Sequence, residues 1–435
     1  MGRFDEHVVP TRDDAVDRRS RTPQRYRAYT PSLLAEIRIE PTIGTMERVS
    51  EAAEACASLD RVIKASPERV DHAIAMLSRS EGIGSATIED YDASAQEIAI
   101  AEAGRAGSVE ASTIIRGIEA TRAGVENLGD PNQSISLQAI EHLQIDLMAG
   151  HSTRKQGYRA EQNRLGGSSL ADAAYVPPPA WELDRLLDDL VNFIDDSGTR
   201  HPLIRAAIAH AQFILIHPFL DGNGRTGRVL VHAMLRREGL LRSAIIPLSL
   251  AILDDEASYI AGIRSLIFEG DQPDQSKINT WLFAFCDFAI EACRIAESLA
   301  ERTRAIHQNM RATTQAHFRS DSIATAIVDL LVTGIGITSS RLVADLGVSS
   351  VTAISTLSKL EDLGVVQADR RSTPYVFMST EILRLIEEAT ALGRYFDGRN
   401  KHDDNQQPGS CGAKMPRARV VCKRPAGHNG PHRAH

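Results

Sequence analysis

Apolar residues recur at steps of three and four through most of this chain, and that period commits it to packed helices rather than sheets. In residues 46–63 (MERVSEAAEACASLDRVI), Val49, Ala53, Cys56, Leu59 and Ile63 mark one helical face. The same step returns in 135–150, which stops at Gly150. It returns again in 183–193 through Leu183, Leu186, Leu187, Leu190 and Phe193, then in 203–216, and in 275–312 as one or two long helices. The expected fold is mostly α. Apolar residues at 43% and charged residues at 24% are ordinary globular usage. A length of 435 residues suggests two to four domains at about 100–200 residues each. No run of eighteen apolar residues occurs, so no membrane span is expected. The opening MGRFDEHVVPTRDDAVDRRS lacks the apolar stretch of a signal peptide. Forty-nine Lys and Arg against fifty-seven Asp and Glu give −8, which argues against indiscriminate nucleic-acid binding. The five cysteines, Cys56, Cys286, Cys293, Cys411 and Cys422, are too scattered for a disulfide framework and point to a reducing cytoplasm.

Composition shifts divide the chain. Residues 1–30, rich in Arg and Asp, read as a mobile arm, and 31–125 as a helical region. Residues 126–312 form the core region. Within it, 151–180 break the helical period with Gly166-Gly167 and a Pro triplet, which reads as a loop or short hairpin. Residues 320–390 read as three helices followed by strand-like runs around a polar turn, the order of a winged helix-turn-helix. From 399 the tail is polar, with Cys and His at its end.

The chemistry concentrates in His217–Arg228, HPFLDGNGRTGR. A glycine turn entering a helix leaves its first N–H groups pointing outward, and with the helix dipole this makes an anion site at Gly222, Asn223 and Gly224. Arg225 and Arg228 are three apart and share a helical face, as a polyphosphate would need. Asp221 is a hard ligand placed to hold Mg²⁺ against phosphates. His217 offers a neutral imidazole as general base. The inventory suits phosphoryl or nucleotidyl transfer. It is not a Walker loop, because GxxxxGK[ST] is absent.

HPFLDGNGRTGR also fits the Fic-family signature HxFx[D/E]GNGRxxR at every specified position. The similarity extends through GYRAEQNRLGGSS, AYVPPP and HPLIRAAIAHAQFILIHPF, and PSLLAEIRIEPTIGTMERVSEAAEACASLDRVI resembles the N-terminal segment of longer bacterial members. It covers about residues 31–310. The resemblance implies a Fic-fold helical core with a short β-hairpin flap, and transfer of AMP from ATP to a Ser, Thr or Tyr hydroxyl of a protein. His217 would deprotonate that hydroxyl, and Asp221 would bind Mg²⁺. Gly222 to Gly224 with Asn223 would form the anion hole, Arg225 would hold phosphate oxygens, and Arg228 would pair with the γ-phosphate. Leu165, Gly166 and Gly167 resemble the flap that takes the target by strand addition. Phe219 reads as a core anchor, and His201, His210 and His232 as structural. SATIED, residues 85–90, resembles the inhibitory motif [S/T]xxxE[G/N]: Ser85 and Glu89 match, and Asp90 stands where Gly or Asn is usual. Glu81 is a poorer alternative. The same fold also supports the reverse, de-AMPylating reaction with Glu89 positioning water.

The block at 338–380 balances Arg341, Lys359, Arg370 and Arg371 against Asp345, Glu361, Asp362 and Asp369, which equips it poorly for DNA phosphates. A DNA-binding regulator is therefore the rival reading, and protein contact or homo-oligomer formation the preferred role of the block. Cys411, Cys422, His428 and His432 can satisfy a tetrahedral Zn²⁺, although the gap between the cysteines is long. The alternative is a basic tail that touches an acidic partner.

Overall fold

Each expected helical stripe is a helix in the computed structural model, which describes residues 2–9, 24–65, 70–105, 107–150, 156–196, 200–270, 273–371 and 373–392. The chain opens with β1 (Gly2–Val9) and β2 (Gln24–Pro31), antiparallel from Gly2↔Pro31 to Val9↔Gln24. These two segments correct the expectation of a mobile arm over residues 1–30. Phe4 packs on Tyr29 at 5.0 Å, and the Arg27 guanidinium lies 4.6 Å over the Phe4 ring. Tyr29 is fully buried and donates its hydroxyl to the Leu266 carbonyl at 3.0 Å. One side of the ladder therefore has a core to face.

Among the described residues eleven α-helices follow: α1 (Ile43–Lys64), α2 (Val70–Ile88), α3 (Ala95–Glu102), α4 (Val109–Leu128), α5 (Leu137–Leu147), α6 (Leu183–Asp195), α7 (Pro202–Ile216), α8 (Asn223–Arg237), α9 (Leu248–Asp254), α10 (Glu256–Ser265) and α11 (Gln275–His317). Several starts are set by side-chain caps: Thr42 accepts from Thr45 N, Ser108 from Ala111 N, Ser136 from Ala139 N, and Ser94 with Glu97 closes a capping box. The stretch 275–312 proves to be part of one helix. At 43 residues, α11 is about 65 Å long. It packs along α1, α2, α9 and α10, and Trp281 anchors it to α7 by donating to the Ala207 carbonyl at 2.9 Å.

The chain then runs α12 (Ala324–Thr333), β3 (Gly336–Thr338), α13 (Ser339–Leu346), α14 (Ser350–Asp362), β4 (Gln367–Asp369), β5 (Val376–Met378) and α15 (Thr380–Leu392). The small sheet has the order β3-β5-β4, all antiparallel. Ile327, Val328, Leu331, Leu342 and Leu357 form a small core with Met310 of α11, whereas Val376, Met378, Ile382 and Ile386 join the large core.

α2 passes through the middle of the large core. Every residue from Met76 to Thr87 is buried, polar ones included. Arg79 donates to Glu102 Oε1 (2.8 Å) and to the Thr333 carbonyl (2.9 Å), and Glu81 accepts from Ser249 N (2.8 Å) and Oγ (2.7 Å). Buried polar groups need such partners. They fix the rotation of α2 and, with it, the direction of its C-terminal end. Among the described residues no helix is long and apolar enough to cross a membrane. Cys411, Cys422, His428 and His432 lie outside the described residues.

Candidate active site

α7 ends where His217 takes a left-handed conformation (φ +50°), with its N–H donating to the Phe213 carbonyl at 3.0 Å. His217 Nδ1 lies 3.3 Å from the Ile214 carbonyl. With the proton on Nδ1, the lone pair is on Nε2. Desolvation, reinforced by the charge of Arg159, pushes the imidazole down to about 4. His217 is therefore neutral near pH 7, as a general base must be.

The loop from Pro218 to Gly222 is closed by Asn223. Its Oδ1 accepts from Phe219 N (3.0 Å) and its Nδ2 donates to the Phe219 carbonyl (2.9 Å). The Asn223 side chain is thus spent on the loop, and the anion hole is left to backbone N–H groups. Phe219 is the expected anchor: it is fully buried and stacks on Tyr158 at 4.9 Å. Gly222 is the N-cap of α8 at φ +80°, where Met148 Sδ would stand 3.1 Å from an added Cβ, and no side chain caps this helix. The α8 N-terminus therefore presents its first N–H groups, unlike the side-chain-capped helices named above. Asp221 Oδ1 accepts from Gly222 N at 2.6 Å, and its backbone carbonyl accepts from Gln144 Nε2 at 3.0 Å. One carboxylate beside a phosphate cradle suits Mg²⁺, which completes its shell with phosphate and water oxygens.

Arg225 and Arg228 are both buried. Arg225 donates to the Leu147 carbonyl at 3.2 Å and lies 5.8 Å over the Tyr91 ring. Arg228 donates to Ser85 Oγ (2.9 Å from Nη2) and to the Ser85 carbonyl (3.3 Å). Glu89 Oε1 is 4.0 Å from Arg228 Nη2. That is an ion pair without a hydrogen bond, short of the bidentate pairing that a tight latch would use. Charge-assisted hydrogen bonds contribute about 1.5–3 kcal/mol each, while a long, partly exposed pair contributes about 1 kcal/mol or less. Ser85 therefore makes the stronger contact with Arg228, and Glu89 the weaker one. A Cβ on Gly224 would stand 2.9 Å from Glu89 Oε1 and 3.0 Å from Arg228 Nη1. The carboxylate thus lies against the open end of α8.

The glycine pair 166–167 sits in a segment pinned to this loop. Leu165 N donates to the Tyr175 carbonyl (2.8 Å), and Asn163 Nδ2 donates to the carbonyls of Phe219 (3.0 Å) and Leu220 (3.3 Å). The flap is one β-bridge, Leu165↔Tyr175, rather than a longer ladder. Gly166 and Gly167 both have positive φ, at +66° and +67°, and leave the extended conformation at once. Their carbonyls accept from Arg164 Nη1 at 3.1 and 2.5 Å.

Residues 134–235 match the Fic/DOC family. That segment is similar to a Fic/DOC domain. A probable protein adenylyltransferase of Aquifex aeolicus is 37% identical over 89 residues, which are 20% of this chain and 26% of that protein. The protein adenylyltransferase fic-1 of Caenorhabditis elegans is 38% identical over 106 residues, 24% of this chain and 20% of that one. The chain thus spans about a quarter or less of the length of these curated relatives. A Fic family protein from Desulfovibrio desulfuricans has a solved structure that covers 78% of this chain and 98% of its own, at 20% identity and a TM-score of 0.48.

In and around this segment, three further histidines have close neighbours. His201 accepts from Leu203 N at 3.2 Å to cap α7, His210 Nε2 meets Tyr259 Oη at 2.7 Å, and His232 Nε2 lies 3.4 Å from Glu81. Glu81 is occupied with Ser249, so it is not the carboxylate at the α8 end. The sequence reading missed Arg159. Its Nε donates to the His217 carbonyl (2.9 Å), and its guanidinium also reaches the carbonyls of Glu161 (3.1 Å) and Pro178 (2.5 Å). It clamps the end of α7 that carries the imidazole. Arg159 and Asn163 both fall in GYRAEQNRLGGSS, where two long polar side chains with no helical period were the available signal.

Proposed function

We propose that this chain is a protein adenylyltransferase, which moves AMP from ATP to a hydroxyl side chain of a protein with release of pyrophosphate. The observation that carries the reading is the uncapped N-terminus of α8, flanked by neutral His217 on one side and buried Arg225 and Arg228 on the other. His217 Nε2 takes the proton of the attacking hydroxyl. The N–H groups of 223 and 224 and the Arg225 side chain hold phosphate oxygens, with the Gly222 N–H already on Asp221, and Arg228 receives the terminal phosphate. Asp221 would hold Mg²⁺, which supplies charge neutralisation at the phosphates. The target lies along the Leu165–Gly167 edge, which requires Arg164 to release the two glycine carbonyls. Glu89 holds the enzyme in check, because its carboxylate stands where the terminal phosphate would approach Arg228. The names of the relatives support the same activity for the domain they share with this chain.

The buried free thiols Cys56, Cys286 and Cys293 fit a cytoplasmic setting. The C-terminal block, read as a winged helix, suits protein contact better than DNA. Arg341 pairs with Asp345, Arg370 with Glu361 and Arg371 with Asp369, while Lys359 donates to the His317 carbonyl. Its cations are thus engaged internally, whereas Val351 and Ile354 of α14 are exposed. Replacement of His217 by Ala tests the activity. With α-labelled ATP and Mg²⁺, label on protein should vanish while nucleotide affinity changes less than about threefold, because other groups hold the phosphates. Undiminished labelling by His217→Ala removes the imidazole from the reaction.

A further inference from the structure

Three side chains far apart in sequence meet at the opposite end of α2 from Glu89. His72 is in its first turn, His307 is on α11, and Asp329 is on α12. One ligand atom from each lies within 4.8 Å of the other two. His72 and His307 are 9% and 1% exposed, and their rings meet edge to face with centroids 4.4 Å apart. His307 Nε2 is 2.6 Å from Asp329 Oδ1, and Arg311 Nη1 is 3.7 Å from the same oxygen.

A plain His–Asp pair accounts for one edge of the His307 ring only. A metal shared with Asp329 would take His307 through Nε2, the edge that already faces the carboxylate. The His72 ring packs edge-on against this pair. Two imidazoles and one carboxylate are, however, three of the four ligands of a tetrahedral zinc-type site, with water as the fourth. Magnesium and calcium prefer oxygen alone, so this donor set selects a borderline transition metal. Ligand atoms about 2.0–2.1 Å from zinc are roughly 3.4 Å apart, and side-chain rotation can close the present separations to that value. The Asp329 side chain is 40% exposed, which leaves a path for entry.

We infer that His72, His307 and Asp329 form a site for a divalent transition metal of the zinc class, which fastens the first turn of α2 to α11 and α12. This site is separate from the nucleotide cradle and independent of the transfer reaction. Its test must exclude the tail. The full chain carrying Cys411→Ser, Cys422→Ser, His428→Gln and His432→Gln is stripped with a chelator and titrated with Zn²⁺ and with Co²⁺. The expected result is about one metal per chain, no thiolate charge-transfer band with Co²⁺, and two imidazoles per metal by X-ray absorption at the zinc edge. The melting temperature should rise with free metal concentration. Asp329→Asn keeps the side-chain shape, and His72→Gln spares the more deeply buried ring. Each should weaken binding by about a hundredfold or more, with metal-free melting little changed. Absence of stoichiometric binding in the tail-substituted chain overturns the inference. So does a bound metal without two imidazoles, or affinity unchanged in folded Asp329→Asn and His72→Gln.

Discussion

At the scale of single residues, the site depends on where His217 is held more than on what it is. Its φ of +50° costs about 1 kcal/mol in a residue other than glycine, and Arg159 holds the carbonyl that follows. Desolvation keeps the ring neutral down to about pH 4. Protonation removes the lone pair, so transfer should be lost only as pH falls through about 4, and kcat should stay flat from about pH 5.5 to 8. A pH–rate profile with its acid limb at the ordinary 6.5 would contradict the environment described for the imidazole. The same shift makes the fold less stable as pH drops below 6.5, because the unfolded chain binds a proton that the native ring resists. That His217, Asp221, Asn223, Arg225 and Arg228 belong to one candidate site was legible because they lie in one contiguous segment. Arg159 was not, since nothing local tells which of the many arginines will point at carbonyls. The contacts of the Asn223 amide were not legible for a related reason: only the folded loop shows that its two polar atoms close on Phe219.

At the scale of elements, two helix ends meet. α8 begins without a cap, and α2 ends in a full Schellman turn. Asp90 N donates to the Thr87 carbonyl (3.1 Å) and Tyr91 N to the Ala86 carbonyl (3.0 Å), with Asp90 at φ +63°. This explains why Gly or Asn is usual at that position, and why Asp serves: all three tolerate the left-handed region. A β-branched residue does not. Asp90→Val should cost about 1–2 kcal/mol in denaturant unfolding, and Asp90→Gly less than about 0.5 kcal/mol either way. Equal stability of Asp90→Val and wild type would mean that the turn is not fixed as described. SATIED stood out as a motif resemblance and not as a helix end, and the all-round burial of the helix was not legible. A stretch such as SRSEGIGSA looks like a solvent face, and its partners Glu102, Ser249 and Arg228 are remote in sequence. The β1–β2 ladder was hidden likewise, because Tyr29 finds its partner only at Leu266.

At the scale of the whole molecule, α11 is the shared wall of both cores, and α2 is packed by helices from both ends of the chain. α15 lies on α2, α3 and α9, and Arg79 and Glu102 tie α2 and α3 to the turn after α12, where Ile335 N also donates to Glu102 (3.3 Å). Residues 324–392 should therefore melt with the helices before them. Coincident loss of Trp281 fluorescence and helical circular dichroism is expected on heating, and an earlier separate transition for the C-terminal block would contradict the shared core. This assembly is what delivers Glu89 to the open end of α8. A displacement of about 1 Å at a reacting group can cost a hundredfold in rate, so under the proposed function a carboxylate in that space would suppress transfer while ATP still binds. The most direct measurement is self-labelling from α-labelled ATP by wild type, Glu89→Gly, and Glu89→Gly combined with His217→Ala. The account predicts weak label on wild type, at least about tenfold more on Glu89→Gly, and none on the double variant. Label on Glu89→Gly no greater than on wild type, in a protein that binds ATP, would contradict it.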